Sequence, residues 1–483
     1  MVPLDTHQAT MQHYTKRILS IFFLGFVLIN TACRKASSLT SNTPESALLF
    51  HLEDMPEINM EVSQAAWNTL LANYDLNSKN EEYIATKLRF TLNGVPTILD
   101  SVGLKLRGNT SRRRPEGSPG QTHQLVNPDW NHSHFALDFA LYKSDQELHG
   151  LEKLVLKFAN NDPTYVREIY GYDLFRRFGV WTAPRASYCR LTIKVTGDAN
   201  AAYYGVYYMI ENGDSDFVKY RKREWGSDVG YLWKCLYNGG GPANLTNASS
   251  IGIESVGLDP NASQYYTYDL KTNKTSFLAA KAQLTEFITQ LNTKTGSDFE
   301  TWIAQKMDVN LLLKTFAVSV LTGNWDDYWG NGNNYFLYFN PNGKVYYIPY
   351  DYDNSLGTAI PYWGFFNTGT QDPLNWGKMN ESPLITKVLQ IAKYRDQYKA
   401  YIKELATNPE YFNAEGSMQR IAAWQSKITP YVSNATGQDM SITDLPAPWS
   451  TEQYYRLLSG NDLAGQNGQP SNYFKTRIKN IPW

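Results

Sequence analysis

Cysteine is nearly missing, with three in 483 residues at Cys33, Cys189 and Cys235. Three thiols cannot build a disulfide framework, so stability has to come from packing. Neither sign of charge is in excess: Lys+Arg 45 against Asp+Glu 46 gives a net charge of -1. A chain that lives by binding phosphate backbones is clearly basic, which excludes nucleic acid as the main partner. Histidine stops early, because all seven lie at or before His149. Any metal site in the remaining two-thirds must use carboxylates and amides, a donor set that selects Mg²⁺ or Mn²⁺ over zinc. His123, His132 and His134 sit loosely in a proline-rich loop without further ligands and read as exposed loop histidines. There is no G-x-x-x-x-G-K-[ST], no G-x-S-x-G, no H-E-x-x-H and no paired C-x-x-C. Those absences remove the P-loop, the nucleophile elbow and the common zinc motifs.

What is present suits a large folded protein. Hydrophobic residues make up 42% and charged ones 19%, and Tyr 34 leads an aromatic share of 14%. Such richness fits a strand-rich exported protein, or a surface that stacks on sugars. Lys16 and Arg17 precede an apolar run from Ile18 to Ile29, and its 12 residues are too short to span a bilayer but match a signal-peptide core. Asn30-Thr31-Ala32-Cys33 follows and resembles a bacterial lipobox, although Asn30 stands where a branched apolar residue is usual. The expectation is a signal peptide over 1–33 with lipidated Cys33, a cell-envelope location, and membrane attachment through that N-terminal anchor only. Cleavage nearby with Cys33 incidental is the alternative. A Ser/Thr/Asn-rich tether over 34–45 precedes one domain over 46–483.

Within that domain Ala47 to Phe50 reads as a strand, and Ser63 to Tyr74 as a helix capped by Ser63. Ile84 to Arg107 alternates around Asn93-Gly94, a hairpin signal. Strands are expected over 135–141, 154–158, 187–195, 202–211 and 231–236, with a helix over 165–178. Helices dominate afterwards, over 271–291, 298–322 and from 383 onward, interrupted by a hairpin around Pro341-Asn342-Gly343. The fold class is α+β, with a sheet-rich half over about 46–260 and a helical half over about 261–483.

Three segments carry chemistry. In Asn324 to Gly357, Asp326 and Asp327 end an apolar helix, Asn331, Asn333 and Asn334 follow, and a hairpin returns the chain to Asp351-Tyr352-Asp353. A hairpin brings its ends together, so these carboxylates and amides converge and can hold Mg²⁺ with positions left for phosphate oxygens. Asp326 and Asn331 also repeat the Asp-x-x-x-x-Asn spacing of a kinase catalytic loop. A set of Asx turns or a structural calcium loop remains open. The second segment is Gly103 to Ser111, where Arg107, Gly108 and Asn109 could wrap a phosphate, or simply form a solvated turn. The third is the strand Tyr204 to Glu211; a buried Glu211 needs a cation, and Lys234 on the next strand is a candidate.

In this order the segments resemble the CotH kinase family. The matching pieces are G-L-K-L-R-G-N-T-S at 103–111, N-N-D-P-T-Y-V-R at 160–167, Y-G-V-Y-Y-M-I-E at 204–211 and Y-L-W-K at 231–234. They continue with N-W-D-D at 324–327, I-P-Y-D-Y-D-N-S-L-G at 348–357, S-P-L at 382–384 and Y-F-K-T-R at 473–477. The resemblance implies a two-lobed, kinase-like fold and an ATP-dependent transfer of phosphate to a Ser or Thr hydroxyl of a protein acceptor, with Mg²⁺ or Mn²⁺. It implies Asp326 as the catalytic Asp, with Asp327 as the alternative, and Asp351 as the metal ligand. Asp353 and one of Asn331, Asn333 and Asn334 would assist it. Lys234 and Glu211 would position nucleotide, and Arg107 with Asn109 would face the phosphates. The family tends to carry a Lys soon after R-G-N-S, where this chain has His132 and His134, and a Trp where this chain has Tyr350. Two other classes stay in view: a non-catalytic member that binds glycan or protein, and a carboxylate-pair glycoside hydrolase.

Overall fold

Period-two patterns in the first half and helical ones in the second give the chain its two architectures. A computed structural model describes residues 45–126, 128–238, 240–358, 368–377, 381–432, 454–459 and 472–483. Residues 1–44, which hold the expected signal peptide, Cys33 and most of the expected tether, lie outside the described residues. The chain divides into Met1–Leu48 and Leu49–Trp483, and everything that follows concerns the second unit. The one local difference near its start is a 3-10 helix, Glu45–Phe50, where a strand is expected. A continuous apolar run cannot be assigned by periodicity.

The first half runs β1 (Glu57–Val62), α1 (Gln64–Leu76), β2 (Ile84–Leu92), β3 (Val95–Arg107), β4 (His134–Asp138), β5 (Lys153–Lys157), α2 (Arg167–Arg177), β6 (Ala186–Val195) and β7 (Ala202–Ile210). The seven strands close into a barrel ordered β1-β2-β3-β4-β5-β7-β6, with β6 parallel to β1. In β2, Ile84, Thr86, Leu88 and Phe90 point inward while Ala85, Lys87 and Arg89 face solvent. Phe90 joins Leu104, Phe135, Leu156 and Tyr207 in the barrel core. Asn93 and Gly94 turn β2 into β3 at φ +51° and +80°, the left-handed pair that a two-residue type I′ hairpin requires. Ser63 caps α1 by accepting the Ala66 N–H at 3.2 Å. Asp162 accepts the N–H groups of Thr164, Val166 and Arg167, which fixes the start of α2.

The second half supplies β8 (Tyr231–Cys235), β9 (Ile251–Gly252), β10 (Tyr268–Leu270), α3 (Phe277–Thr293), α4 (Gly296–Lys306), α5 (Val309–Thr322), α6 (Tyr328–Asn331), β11 (Tyr335–Phe339) and β12 (Val345–Pro349). After these come α7 (Pro383–Gln390), α8 (Ala392–Thr407), α9 (Ala414–Val432), α10 (Arg456–Ser459) and α11 (Tyr473–Lys479). A second sheet has the order β12-β11-β8-β10-β9, so it takes strands from both sides of residue 260. The fold is mixed α+β, sheet-rich in the N-terminal region and helical in the C-terminal region. The expected helix over 298–322 is two helices, because Asp308 accepts the Leu311 N–H at 3.0 Å and starts α5 anew.

Tyrosine is core material here more than surface: Tyr170, Tyr188, Tyr204, Tyr207, Tyr208, Tyr268 and Tyr328 are all buried. Cys189 and Cys235 are free, buried thiols. No helix among the described residues is long and apolar enough to cross a membrane.

Candidate functional site

Strand β5 ends in a lysine that is surrounded by acid. Lys157 Nζ lies 2.6 Å from Glu168 Oε2, 2.7 Å from Asp351 Oδ1 and 3.5 Å from Asp353 Oδ2. Glu168 comes from the first turn of α2; Asp351 and Asp353 come from the loop after β12. Glu168 is sealed inside, whereas the Asp351 and Asp353 side chains keep 31% and 27% of their surface. One ammonium among three carboxylates leaves negative charge uncompensated. Burial, reinforced by Asp351, pushes Glu168 up to about 7 despite Lys157. Burial and the Asp351 charge likewise push Asp353 well above the usual carboxylate range. Burial opposes ionisation of Asp351 too, but Lys157 holds it below its ordinary value. A divalent cation would relieve this excess.

The donors fit a hard cation. One carboxylate oxygen each from Glu168, Asp351 and Asp353 lies within 4.8 Å of the others. Glu168 is sealed inside, so the partly exposed Asp351 and Asp353 are the acids better placed for a metal, although Lys157 pairs with Asp351 as closely as with Glu168. Glu168 and Lys157 were both missed from the sequence. A lysine closing the apolar strand Leu154-Val155-Leu156 was the available signal.

Asp326 sits in a cage of amides. Its Oδ1 accepts Nδ2 of Asn331 at 2.7 Å and of Asn333 at 3.1 Å, and its Oδ2 accepts Asn334 at 3.1 Å and Asn354 at 3.4 Å. Burial raises it to about 6, against the pull of these donors. The single turn α6 folds Asn331 back onto Asp326, which is what the Asp-x-x-x-x-Asn spacing encodes. Asp327, the alternative to Asp326, is fully buried and accepts the Gly330 N–H at 2.8 Å as the cap of α6. The asparagines donate to Asp326; among the described residues no donor reaches Oδ1 of Asn331 or Asn334, while Asn333 Oδ1 accepts the Tyr237 N–H.

A cavity of about 400 Å³ opens beside Asp351, and its walls include Arg107, Asn109, Lys234, Asn333 and Asn334. Arg107 donates to Tyr350 Oη at 2.8 Å, a bond that a Trp at 350, having only an N–H donor, could not accept. Lys234 is half-buried and forms no ion pair among the described residues, and burial together with the Lys271 charge brings it down to about 8. Such an ammonium has room for an anion.

Glu211 and Lys234 do not meet. Glu211 is buried against Arg185 and Arg221, accepting the Arg185 N–H and Nη2 at 2.7 Å each and Arg221 Nη1 at 3.2 Å. Its carboxylate satisfies the need for a cation with Arg185, next to β6, and Arg221, ten residues on, and is absent from the cavity wall. The histidines are a second correction, since all three are buried rather than exposed. His123 bridges Glu116 and Asp198 at 2.9 and 2.7 Å. His134 bonds Ser111 and the Phe158 N–H, and His132 bonds the Tyr204 carbonyl.

A barrel followed by a helical region, with a buried lysine held by carboxylates, one of which (Asp351) lines a basic cavity, defines the class. Comparison with known proteins places the chain within it: residues 105–465 match the family model described as CotH kinase protein, and the chain belongs to that family. It is 24% identical over 285 residues to the inner spore coat protein H of Bacillus subtilis, covering 59% of this chain and 69% of that one. It is 26% identical over 269 residues to invasin CotH7 of Rhizopus delemar, covering 53% of this chain and 39% of that longer protein.

Proposed function

We propose that the chain is an ATP-dependent protein kinase that transfers the γ-phosphoryl group to a Ser or Thr hydroxyl. The observation that carries this reading is Lys157 held between Glu168 and Asp351 beside the basic cavity. In kinases a Lys–Glu ion pair and a metal-binding Asp must both be in place for phosphoryl transfer. Lys157 and Lys234 bind phosphate oxygens, and Arg107 with Asn109 closes the wall around them. Mg²⁺ or Mn²⁺, when bound, neutralises phosphate charge, and Asp351, Asp353 and an amide oxygen of Asn331 or Asn334 are the residues that would hold it. Asp326 orients the acceptor hydroxyl. The acceptor oxygen forms a bond to the γ-phosphorus, the bond to the β-bridging oxygen breaks, ADP leaves, and the hydroxyl proton passes to Asp326.

Export through the leader and lipid attachment at Cys33 complete the reading, placing the kinase at the cell envelope. Transfer of label from γ-labelled ATP to the chain itself or to generic protein acceptors tests it. The wild type labels protein; Asp326→Asn does not, yet retains nucleotide. A folded wild type that labels nothing would favour a binding protein, and sugar release without ATP a hydrolase.

A further inference from the structure

Asp351 carries the left-handed backbone angle φ +62°. A non-glycine residue keeps that conformation only where its surroundings hold it. Two buried side chains do so. The Asp351 N–H donates to Tyr172 Oη at 3.0 Å, and Asn324 Nδ2 donates to the Asp351 carbonyl at 3.3 Å. Tyr172 follows Glu168 by four residues on α2, so both lie on one helix face. That face bonds Lys157 through Glu168 and the Asp351 main chain through Tyr172. Gly171 lets the loop come this close, because a Cβ there would lie 2.9 Å from Tyr352 Cβ. Asn324, just past the end of α5, has a second bond: its Oδ1 accepts the Asp326 N–H at 3.2 Å. One buried amide thus grips the main chain at both acids.

We infer that Tyr172 and Asn324 are positioning residues that hold Asp351 left-handed, with its carboxylate toward Lys157 and a divalent cation, and that Asn324 sets Asp326 in register with it. This rests on the metal–nucleotide reading above. Removing the Tyr172 hydroxyl leaves the Asp351 N–H without an acceptor in a protein interior. The loop then turns to satisfy it and carries the carboxylate away.

Mn²⁺ titration of the full chain, followed by electron paramagnetic resonance, tests the inference without relying on turnover. Wild type, Tyr172→Phe and Asn324→Ala are compared with Tyr188→Phe. Tyr188 is an equally buried tyrosine whose hydroxyl donates to the Tyr165 carbonyl at 2.7 Å. Tyr172→Phe should bind Mn²⁺ about tenfold more weakly, or about 1.4 kcal/mol. Asn324→Ala should lose more, and Tyr188→Phe should match wild type even where its melting point falls. Unchanged affinity in Tyr172→Phe, beside a wild type that binds, overturns the positioning role alone. Equal weakening in Tyr172→Phe and Tyr188→Phe overturns it too, by making both hydroxyls general supports. A wild type that binds no Mn²⁺ contradicts the metal–nucleotide reading and the inference together.

Discussion

Replacing Glu211 with alanine should unfold this protein more readily without touching its site directly. Glu211 accepts bonds from Arg185 and Arg221 while buried. Burial raises its carboxyl, but the two guanidiniums, Arg221 foremost, overcome that and hold it at about 2 against an ordinary 4.5. At 1.36 kcal/mol per pH unit, that difference is worth about 3 kcal/mol. Alanine also strands two arginines in the interior, and breaking a buried pair costs about 3–5 kcal/mol. Because the folded carboxyl lies below its unfolded value, the contribution is complete above about pH 4.5 and fades toward pH 2. Guanidinium unfolding at pH 7 should therefore show the full loss, and at pH 3 a smaller gap between variant and wild type. Adding Lys234→Ala should be additive within about 0.5 kcal/mol, since the two side chains share no contact. A stable Glu211→Ala with weakened ATP binding, or strong coupling to Lys234, would refute this assignment.

Lys157→Met should lower phosphoryl transfer by about 10²–10³-fold, read from initial rates, because it removes a preorganised charge at the phosphates. Asp327→Asn should retain transfer and most stability, since asparagine caps a helix as well as aspartate; Asp327→Ala should lower the melting point by about 1 kcal/mol equivalent. Asp326, raised to about 6, must be ionised to take the hydroxyl proton. Transfer should therefore be steady above about pH 7 and fall as pH drops through about 6; a flat rate down to pH 5 would place the proton elsewhere.

Local patterns were legible in the sequence and long-range closure was not. The Asn93-Gly94 hairpin, the Ser63 cap and the Asp326–Asn331 contact each depend on neighbours in the chain, so spacing revealed them. The parallel pairing of β1 with β6 joins residues more than a hundred positions apart and leaves no periodic trace. The same holds for the pairing of Lys157 with Asp351 and Asp353, which lie after β12. Lys234 is the cation that chain order suggests for Glu211, because β8 follows it, yet Arg185 faces Glu211 across the β6–β7 pairing and Arg221 lies ten residues further on. Asp327 and Asp326 are adjacent residues of one type, and only burial separates a helix cap from a candidate base.

The central claim is that Lys157, Glu168, Asp351 and Asp353 form a metal–nucleotide site. Calorimetric titration of ATP into wild type and Asp351→Asn, each with Mg²⁺ and with excess EDTA, measures it most directly. The account predicts binding to wild type only with the metal, and at least tenfold weaker binding in a folded Asp351→Asn. Equal ATP affinity in EDTA, or an Asp351→Asn that binds Mg²⁺-ATP like wild type, would contradict it.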